Sequence, residues 1–257
     1  MPRPFPAEAL PEKRLLELRL LASDVDDTLT EGGKIPAEII AAFARLRAAG
    51  LAVWLVTGRC AAWGQALSRY LPVDGVVAEN GGVICRGEDI RVLADLEFIG
   101  RRRERLEEAF QAIRRRLPRA VMSGDNIGRL TDWAFDRAQL SPDEVAQAAA
   151  IAAEAGLHCI ASSIHGHLFA GDHDKASALG VVCAEIGVAD RERALTLGDS
   201  ANDEPLFDAA RFPLSAAVAN VAEHLPRLTH KPLYILPRPR AEGALWLLRR
   251  ILVSRGL

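Results

Sequence analysis

The 257-residue chain has few aromatic residues (5%) and no long apolar run. None of its apolar stretches approaches the roughly 20 residues that a helix needs to span a bilayer. The N-terminus, M-P-R-P-F-P-A-E, is interrupted by proline and has no apolar signal core. We therefore expect a protein that neither spans nor enters a membrane.

Cysteine is also scarce, and the four that occur are widely separated: Cys60, Cys85, Cys159 and Cys183. No two of them form a C-x-x-C pair. Such spacing is typical of reduced thiols rather than of disulfides or a zinc site. The sequence therefore favours a cytoplasmic location.

Charge of either sign shows no large excess, since the formal net charge is -2. This balance argues against nucleic acid or a membrane surface as a partner and leaves a small molecule. The arginine-rich stretch 101–117 does not change this view, because glutamates are interleaved and apolar residues recur at helical spacing. The oligomeric state, monomer or dimer, stays open.

What the sequence does contain is an apolar run that leads into three carboxylates. The segment 20–30 reads L-L-A-S-D-V-D-D-T-L-T and places Asp24, Asp26 and Asp27 within four positions. The pattern predicts a buried parallel strand that ends at a ligand site. Carboxylates this close together need a cation, most plausibly Mg²⁺. An acidic turn is the alternative interpretation.

Strands and helices then alternate. A helix after Pro36 is followed by a strand at Leu51–Val56, a helix at 61–70 and a strand at Val73–Ala78. A tight turn at Glu79–Gly82 follows, where Asn-Gly favours positive φ. This order predicts an α/β fold with a doubly wound parallel sheet.

The pattern changes after about residue 86 and returns after residue 172. Between them we expect a small α+β module with helices at 101–117 and after the capping box at Ser141, and strands at 128–135, 157–161 and 166–170. Afterwards come a helix that begins near Lys175, strands at 194–197 and 214–219, and a helix at 242–252. We therefore expect a core formed by residues 1–85 and 173–257, with an inserted α+β cap at 86–172.

Four motifs together resemble the haloacid dehalogenase (HAD) superfamily of phosphatases: D-V-D-D-T-L-T, T-G-R, a lysine, and G-D-S-A-N-D. Their order and the position of the insertion resemble the Cof-type (IIB) class with its large α+β cap. That class is similar to sucrose-phosphate phosphatase and mannosyl-3-phosphoglycerate phosphatase. One departure is Asp27, which stands where the common first motif has glycine.

The resemblance implies an HAD-like, Rossmannoid core and a Mg²⁺-dependent phosphatase that acts through an aspartyl-phosphate. The implied substrate is a small phosphorylated metabolite, such as a sugar phosphate or a sugar-phosphoglycerate. A phosphosugar mutase of the same fold and a non-catalytic HAD-like binding protein remain as alternatives. Haloacid dehalogenation is disfavoured, since those enzymes lack the second acid that Asp26 supplies.

The resemblance also assigns roles to the acidic residues. Asp24 is expected to be the nucleophile, and Asp26 the general acid and then the base. Asp24, Asp199 and the backbone carbonyl of Asp26 are expected to bind Mg²⁺. Asp203 is expected to bind it through water or to orient its ligands.

The remaining core motifs are expected to hold the substrate. Thr57 and Lys175 would bind the transferring phosphoryl oxygens, with Gly58 in the same loop. Arg59 would either bind substrate or pair with an acid, and both interpretations stay open. Asn202 would brace the loop that carries Asp199.

In the cap, the polar join at 161–167 is expected to contact the leaving group through Ser163 and His165. A neighbouring strand offers further polar groups: Arg129, Thr131 and Asp132. Strand alternation would place the first two on one face and Asp132 on the other. The alternative is a solvated hairpin. The histidine pair lacks the spacing of a metal site.

Overall fold

The computed structural model describes residues 4–93, 99–137, 139–162 and 164–257, with only the backbone described at 99–102. Within these residues, the strands are β1 (Phe5–Pro6), β2 (Leu20–Ser23), β3 (Ala52–Val56), β4 (Gly75–Ala78), β5 (Val83–Arg86), β6 (Asp89–Val92), β7 (Val121–Met122), β8 (Asp132–Asp136), β9 (His158–Ala161), β10 (His165–Phe169), β11 (Ala194–Gly198), β12 (Leu214–Ala217) and β13 (Tyr234–Ile235). The α-helices are α1 (Glu12–Glu17), α2 (Ala37–Ala48), α3 (Ala61–Tyr70), α4 (Ile99–Arg116), α5 (Pro142–Glu154), α6 (Lys175–Glu185) and α7 (Arg240–Ser254).

A nine-stranded sheet forms the larger part of the molecule, in the order β1-β13-β12-β11-β2-β3-β4-β5-β6. The strands from β1 to β4 are parallel, and β5 and β6 add an antiparallel edge. Alternating residues of β2 pack on opposite sides: Leu21 contacts the apolar cluster under α2 and α7, whereas Leu20 and Ala22 contact the cluster under α6. Burial on both faces explains the nearly continuous apolar runs. The predicted doubly wound α/β fold is confirmed.

The register of this sheet aligns the ends of its central strands. Ser23, the last residue of β2, lies opposite Leu55 of β3 and Leu197 of β11. The polar residues that follow these strands therefore emerge at one edge of the sheet. This edge is where ligands bind in open α/β sheets.

A second sheet of four antiparallel strands has the order β7-β8-β10-β9. Helices α4 and α5 cover one face of it, and a separate apolar cluster that includes Phe110, Phe135 and Leu168 lies between. The predicted capping box of α5 is present, because Glu144 N donates to Ser141 Oγ and Ser141 N donates to the Glu144 carboxylate. The opposite face of the sheet turns toward the large sheet.

Two expectations about boundaries differ from the structure. The strand expected at 128–135 begins at Asp132, and Gly124–Gly128 form a 3₁₀ helix instead. The large sheet also continues through β6 to Val92, beyond the division expected at residue 86. The division into core and cap remains a prediction. Among the described helices, none combines the length and apolarity needed to cross a membrane.

Candidate active site

Three carboxylates meet at the edge where β2 and β11 end. Asp24, Asp199 and Asp203 each place an oxygen within 4.8 Å of the others, and all three side chains are buried. Asp24 follows β2, Asp199 follows β11, and Asp203 lies in the 3₁₀ helix Ala201–Phe207. The sheet register thus joins two motifs that are separated by 175 positions in the sequence.

Lys175 supplies positive charge at the centre of this cluster. Its Nζ donates to Asp24 Oδ1 at 2.7 Å and to Asp203 Oδ1 at 2.6 Å. The lysine is the first residue of α6, and the Asp174 side chain caps that helix by accepting from Ser177 N. Burial by itself lowers the pKa of Lys175, but the two carboxylates raise it above its ordinary value. The ammonium therefore stays charged although it is 1% exposed.

One ammonium does not compensate three carboxylates. Burial raises the pKa of Asp24 well above its ordinary value, and repulsion from Asp203 adds to the rise. Burial and the same repulsion also raise the pKa of Asp199. Buried carboxylates without sufficient positive charge are costly, and hard divalent cations prefer oxygen ligands. The donor set fits such a cation.

The hydrogen bonds show which oxygens are already engaged. Asp203 Oδ2 accepts from the backbone N–H of Asp199 (2.9 Å) and of Ser200 (3.0 Å). Asp199 accepts from Thr28 Oγ1 at 3.1 Å and from Asn220 Nδ2 at 2.9 Å. Asp24 Oδ2 accepts no hydrogen bond from the described residues. Asp203 is thus the most fully engaged of the three carboxylates.

Thr28 and Asn220 were not among the residues that the sequence pointed to. Thr28 belongs to the first acidic motif, where its hydroxyl was a weak signal. Asn220 follows β12 in the 3₁₀ helix Ala219–Glu223, and it also donates to the carbonyl of Asp27 at 3.1 Å. No local pattern marks Asn220, because its role depends on a contact 21 residues away in the chain.

Asp26 lies outside the carboxylate cluster and pairs with Arg59. Arg59 Nε and Nη2 donate to the two carboxylate oxygens of Asp26, each at 2.7 Å. The loop after β3 holds the arginine in place, since Arg59 N donates to Thr57 Oγ1 at 3.0 Å. Of the two interpretations of Arg59, the structure contains the pairing with an acid.

The small sheet closes over this edge. A cavity with about 10 Å³ of free volume lies between the two parts and is lined by Asp24, Asp26, Gly58, Arg59, Ser162, Ile164, His165, His167, Ser200 and Asn202. Both histidines come from β10. Ser163, expected to bind the leaving group, lies outside the described residues.

His165 and Asn202 lie at the cavity, and both have partners. His165 Nε2 lies 3.3 Å from Ser123 Oγ, and burial lowers the pKa of His165 to about 4. Asn202 Nδ2 donates to Asn80 Oδ1 at 3.0 Å, and Asn202 Oδ1 accepts from Ser200 Oγ at 2.7 Å. Asn202 therefore ties the loop after β11 to the turn after β4.

The polar residues of the neighbouring cap segment are engaged within the protein. Arg129 Nη1 donates to Asp132 at 2.8 and 2.9 Å and to the carbonyl of Gly58 at 3.0 Å. Thr131 Oγ1 donates to Glu79 Oε2 at 2.6 Å. The expectation that alternation separates Arg129 from Asp132 is wrong, because Arg129 precedes the strand. The hydrogen bonds from Arg129 to Gly58 and from Thr131 to Glu79 connect the cap segment to the core.

The chain has relatives among known proteins. Residues 21–99 match the model of the haloacid dehalogenase-like hydrolase family. A phosphoglycolate phosphatase from Halobacterium salinarum is 31% identical over 206 residues, which are 79% of this chain and 85% of that protein.

Solved structures show the same architecture. A crystal structure from Thermoplasma acidophilum has a TM-score of 0.71 and 25% identity, and the match covers 91% of this chain and 98% of that one. The sucrose-phosphatase of Synechocystis, solved with sucrose and phosphate, has a TM-score of 0.67 and 18% identity, with coverage of 91% and 98%.

The fold and its acidic edge define an α/β phosphatase with a cap. The chain belongs to the haloacid dehalogenase-like hydrolases, as its motifs predicted.

Proposed function

We propose that the protein is a Mg²⁺-dependent phosphatase of a small phosphorylated metabolite and that it acts through an aspartyl-phosphate on Asp24. The observation that carries the proposal is the buried arrangement of Asp24, Lys175, Asp199 and Asp203 at the end of β2. An enclosed nucleophile beside an ammonium suits attack on a dianionic phosphoryl group.

Asp24 attacks phosphorus through Oδ2, since Lys175 already occupies Oδ1. The bond between phosphorus and the ester oxygen breaks, and Asp26 donates a proton to that oxygen. In the second step Asp26 takes a proton from the water that hydrolyses the aspartyl-phosphate. Both Asp26 oxygens accept from Arg59 in this structure, so Asp26 must release one of these hydrogen bonds and take up a proton from water before it acts as the acid.

The metal would be held by the carboxylates of Asp24 and Asp199 and by the backbone carbonyl of Asp26. Asp203, whose oxygens accept from Lys175 and from two backbone N–H groups, would bind the ion through water or orient its ligands. When bound, Mg²⁺ neutralises charge on the carboxylates and on the phosphoryl oxygens.

Thr57 and Lys175 would hold the phosphoryl oxygens at the level of the strand ends. Gly58 leaves room beside them, and Arg59 and Asn202 border the same cavity. The cap, proposed at 86–172, would select the leaving group. Ser163 and His165 remain proposed contacts on the cap side.

Two classes of leaving group deserve direct comparison. The sequence motifs favour a sugar phosphate or a sugar-phosphoglycerate, whereas the Halobacterium relative is named a phosphoglycolate phosphatase. A phosphosugar mutase would use the same core but would return the phosphoryl group to a sugar.

The test is phosphate release from a panel of monoesters, with and without Mg²⁺. The panel contains phosphoglycolate, glycerol 3-phosphate, hexose phosphates, a sugar-phosphoglycerate and p-nitrophenyl phosphate. We expect Mg²⁺-dependent release from at least one small metabolite. Isomerisation of a hexose phosphate that needs a bisphosphate activator and releases no phosphate would instead establish a mutase. Binding of these compounds without any turnover would indicate a non-catalytic protein.

A further inference from the structure

His167 occupies a position in the cap that the proposed mechanism does not use. Its neighbour Leu168 packs into the apolar cluster under α4 and α5, so alternation turns His167 toward the acidic edge of the core. The side chain is 1% exposed and lines the same cavity as Asp24 and Asp26.

Hydrogen bonding determines which nitrogen of His167 carries hydrogen. Nδ1 lies 3.0 Å from Asp132 Oδ2, and Arg129 donates to both oxygens of that carboxylate. Burial by itself raises the pKa of Asp132, but Arg129 and His167 hold it below its ordinary value. An ionised carboxylate only accepts, so Nδ1 carries the hydrogen. Burial also lowers the pKa of His167 and keeps the ring neutral. Nε2 therefore presents a lone pair.

That lone pair has no partner. Among the described residues, no hydrogen-bond donor reaches His167 Nε2. A buried polar atom without a partner is destabilising. The Asp132–Arg129 pair nevertheless holds the imidazole ring in this orientation. His167 Nε2 is thereby left free to accept a hydrogen bond from a ligand.

Asn80 provides the complementary group. Its Oδ1 accepts from Asn202, whereas its Nδ2 has no partner among the described residues, and the side chain is 2% exposed. Both orphan atoms lie on the same side of Gly58: a Cβ built there would be 3.1 Å from His167 Nε2 and 3.2 Å from Asn80 Nδ2. One free acceptor and one free donor thus flank the residue that follows Thr57.

We propose that His167 and Asn80 form a subsite that reads a hydroxyl group on the leaving group, so that the substrate is the phosphate monoester of a small polyol or sugar. A hydroxyl accepts from Asn80 Nδ2 and donates to His167 Nε2. A carboxylate, as in phosphoglycolate, has no hydrogen to donate and would face the lone pair. The inference rests on the proposed phosphatase function and makes its substrate class specific.

Three substrates of matched size test the subsite: 2-hydroxyethyl phosphate, ethyl phosphate and phosphoglycolate. They differ only in the group attached to the CH₂ of the phosphate ester: a hydroxymethyl, a methyl or a carboxylate. We expect wild-type kcat/KM for 2-hydroxyethyl phosphate to exceed the other two by about tenfold or more, because a site built around a hydroxyl leaves buried groups unpaired without it.

Two variants remove the subsite from opposite sides. His167→Phe keeps an aromatic ring but removes the acceptor. Asn80→Gly removes the donor and tolerates the positive φ of 52° at this position. His167→Phe should lower kcat/KM for 2-hydroxyethyl phosphate by about tenfold and change ethyl phosphate little. Asn80→Gly also removes the acceptor of Asn202 Nδ2, so its readout is the ratio of kcat/KM for 2-hydroxyethyl phosphate to that for ethyl phosphate, which should fall about tenfold. His158→Phe, on the neighbouring strand β9 with a side chain that is 56% exposed, is the matched control. Melting temperatures verify that each variant folds.

Several results would overturn the inference. One is equal wild-type rates on 2-hydroxyethyl and ethyl phosphate. Another is a parallel loss on all three substrates in both variants, which would mean a structural role. A preference for phosphoglycolate that His167→Phe abolishes would assign the subsite to a carboxylate instead.

If the wild-type protein releases phosphate from no monoester, the proposed function fails. The affinities of the same compounds, measured by calorimetry, then test the subsite without turnover. Tighter binding of 2-hydroxyethyl phosphate than of ethyl phosphate, lost in His167→Phe, would support it. Equal affinities would reject it.

Discussion

Arg59 holds both carboxylate oxygens of Asp26 at 2.7 Å, although the two residues are 33 positions apart. The pair lies on the cavity wall, beside the cluster of Asp24, Asp199 and Asp203 rather than within it. Asp24 thus belongs to the buried charged cluster, whereas Asp26 belongs to the cavity wall. This separation underlies the different roles proposed for them.

Asp24→Asn should abolish turnover while the fold survives. The amide keeps the size of the carboxylate but cannot attack phosphorus, so the rate should fall at least about a hundredfold. Phosphate release measures the loss, and mass spectrometry of acid-quenched wild-type enzyme should find the phosphoryl group on Asp24. Residual activity above that level would remove Asp24 as the nucleophile.

Asp26→Asn should separate substrates by the acidity of their leaving groups. p-Nitrophenol needs little protonation as it departs, so that substrate should still phosphorylate Asp24. An alkyl or sugar phosphate should lose far more, because its leaving oxygen needs the proton. Rates of the first half-reaction on both substrates check this. Equal losses would contradict a general-acid role.

Removal of divalent cations with EDTA should abolish phosphate release, and added Mg²⁺ should restore it. Mg²⁺ should also raise the melting temperature of the wild-type protein, because it offsets repulsion among the buried carboxylates. Asp199→Ala should lose both responses. Asp143→Ala, which changes an exposed aspartate at the start of α5, is the control. Full activity in EDTA would exclude the metal.

Stability should fall on acidification partly because of His165. Its pKa is lowered to about 4 by burial, so the unfolded chain binds more protons than the folded chain between about pH 4 and 6.5. The contribution of His165 is fully present above pH 6.5 and is lost as the pH falls toward 4. Urea titrations across this pH window should show that the free energy of unfolding depends less on pH in His165→Asn than in the wild-type protein. An unchanged slope would mean that His165 titrates normally.

Glu79 should be needed to hold the cap segment on the core. Its buried carboxylate accepts from Ala61 N, Leu130 N, Thr131 N and Thr131 Oγ1. Glu79→Ala leaves these donors unpaired and should cost about 3 kcal/mol or more of unfolding free energy. Glu79→Gln keeps one carbonyl oxygen and should cost less. Denaturant unfolding of both variants makes the comparison, and equal small effects would show that the contact is dispensable.

The sequence by itself determined the elements that depend on local patterns. Apolar runs that end in polar residues marked the central strands of the large sheet, since burial on both faces requires them. Ser141 and Glu144 marked the start of α5 through their capping box. Asn80 was expected at positive φ because of the following glycine, and its φ is 52°.

The tertiary structure alone decided which polar groups meet. The pairs Arg59–Asp26, His167–Asp132 and Asn220–Asp199 join residues that are 33, 35 and 21 positions apart. Local periodicity reports which face a residue occupies but not which partner lies opposite. Arg129 shows the difference, since its place on the strand expected at 128–135 suggested a ligand contact. Burial removes the Arg129 guanidinium from water. Asp125, Asp132 and the carbonyl of Gly58, which come from different parts of the chain, stabilise its charge.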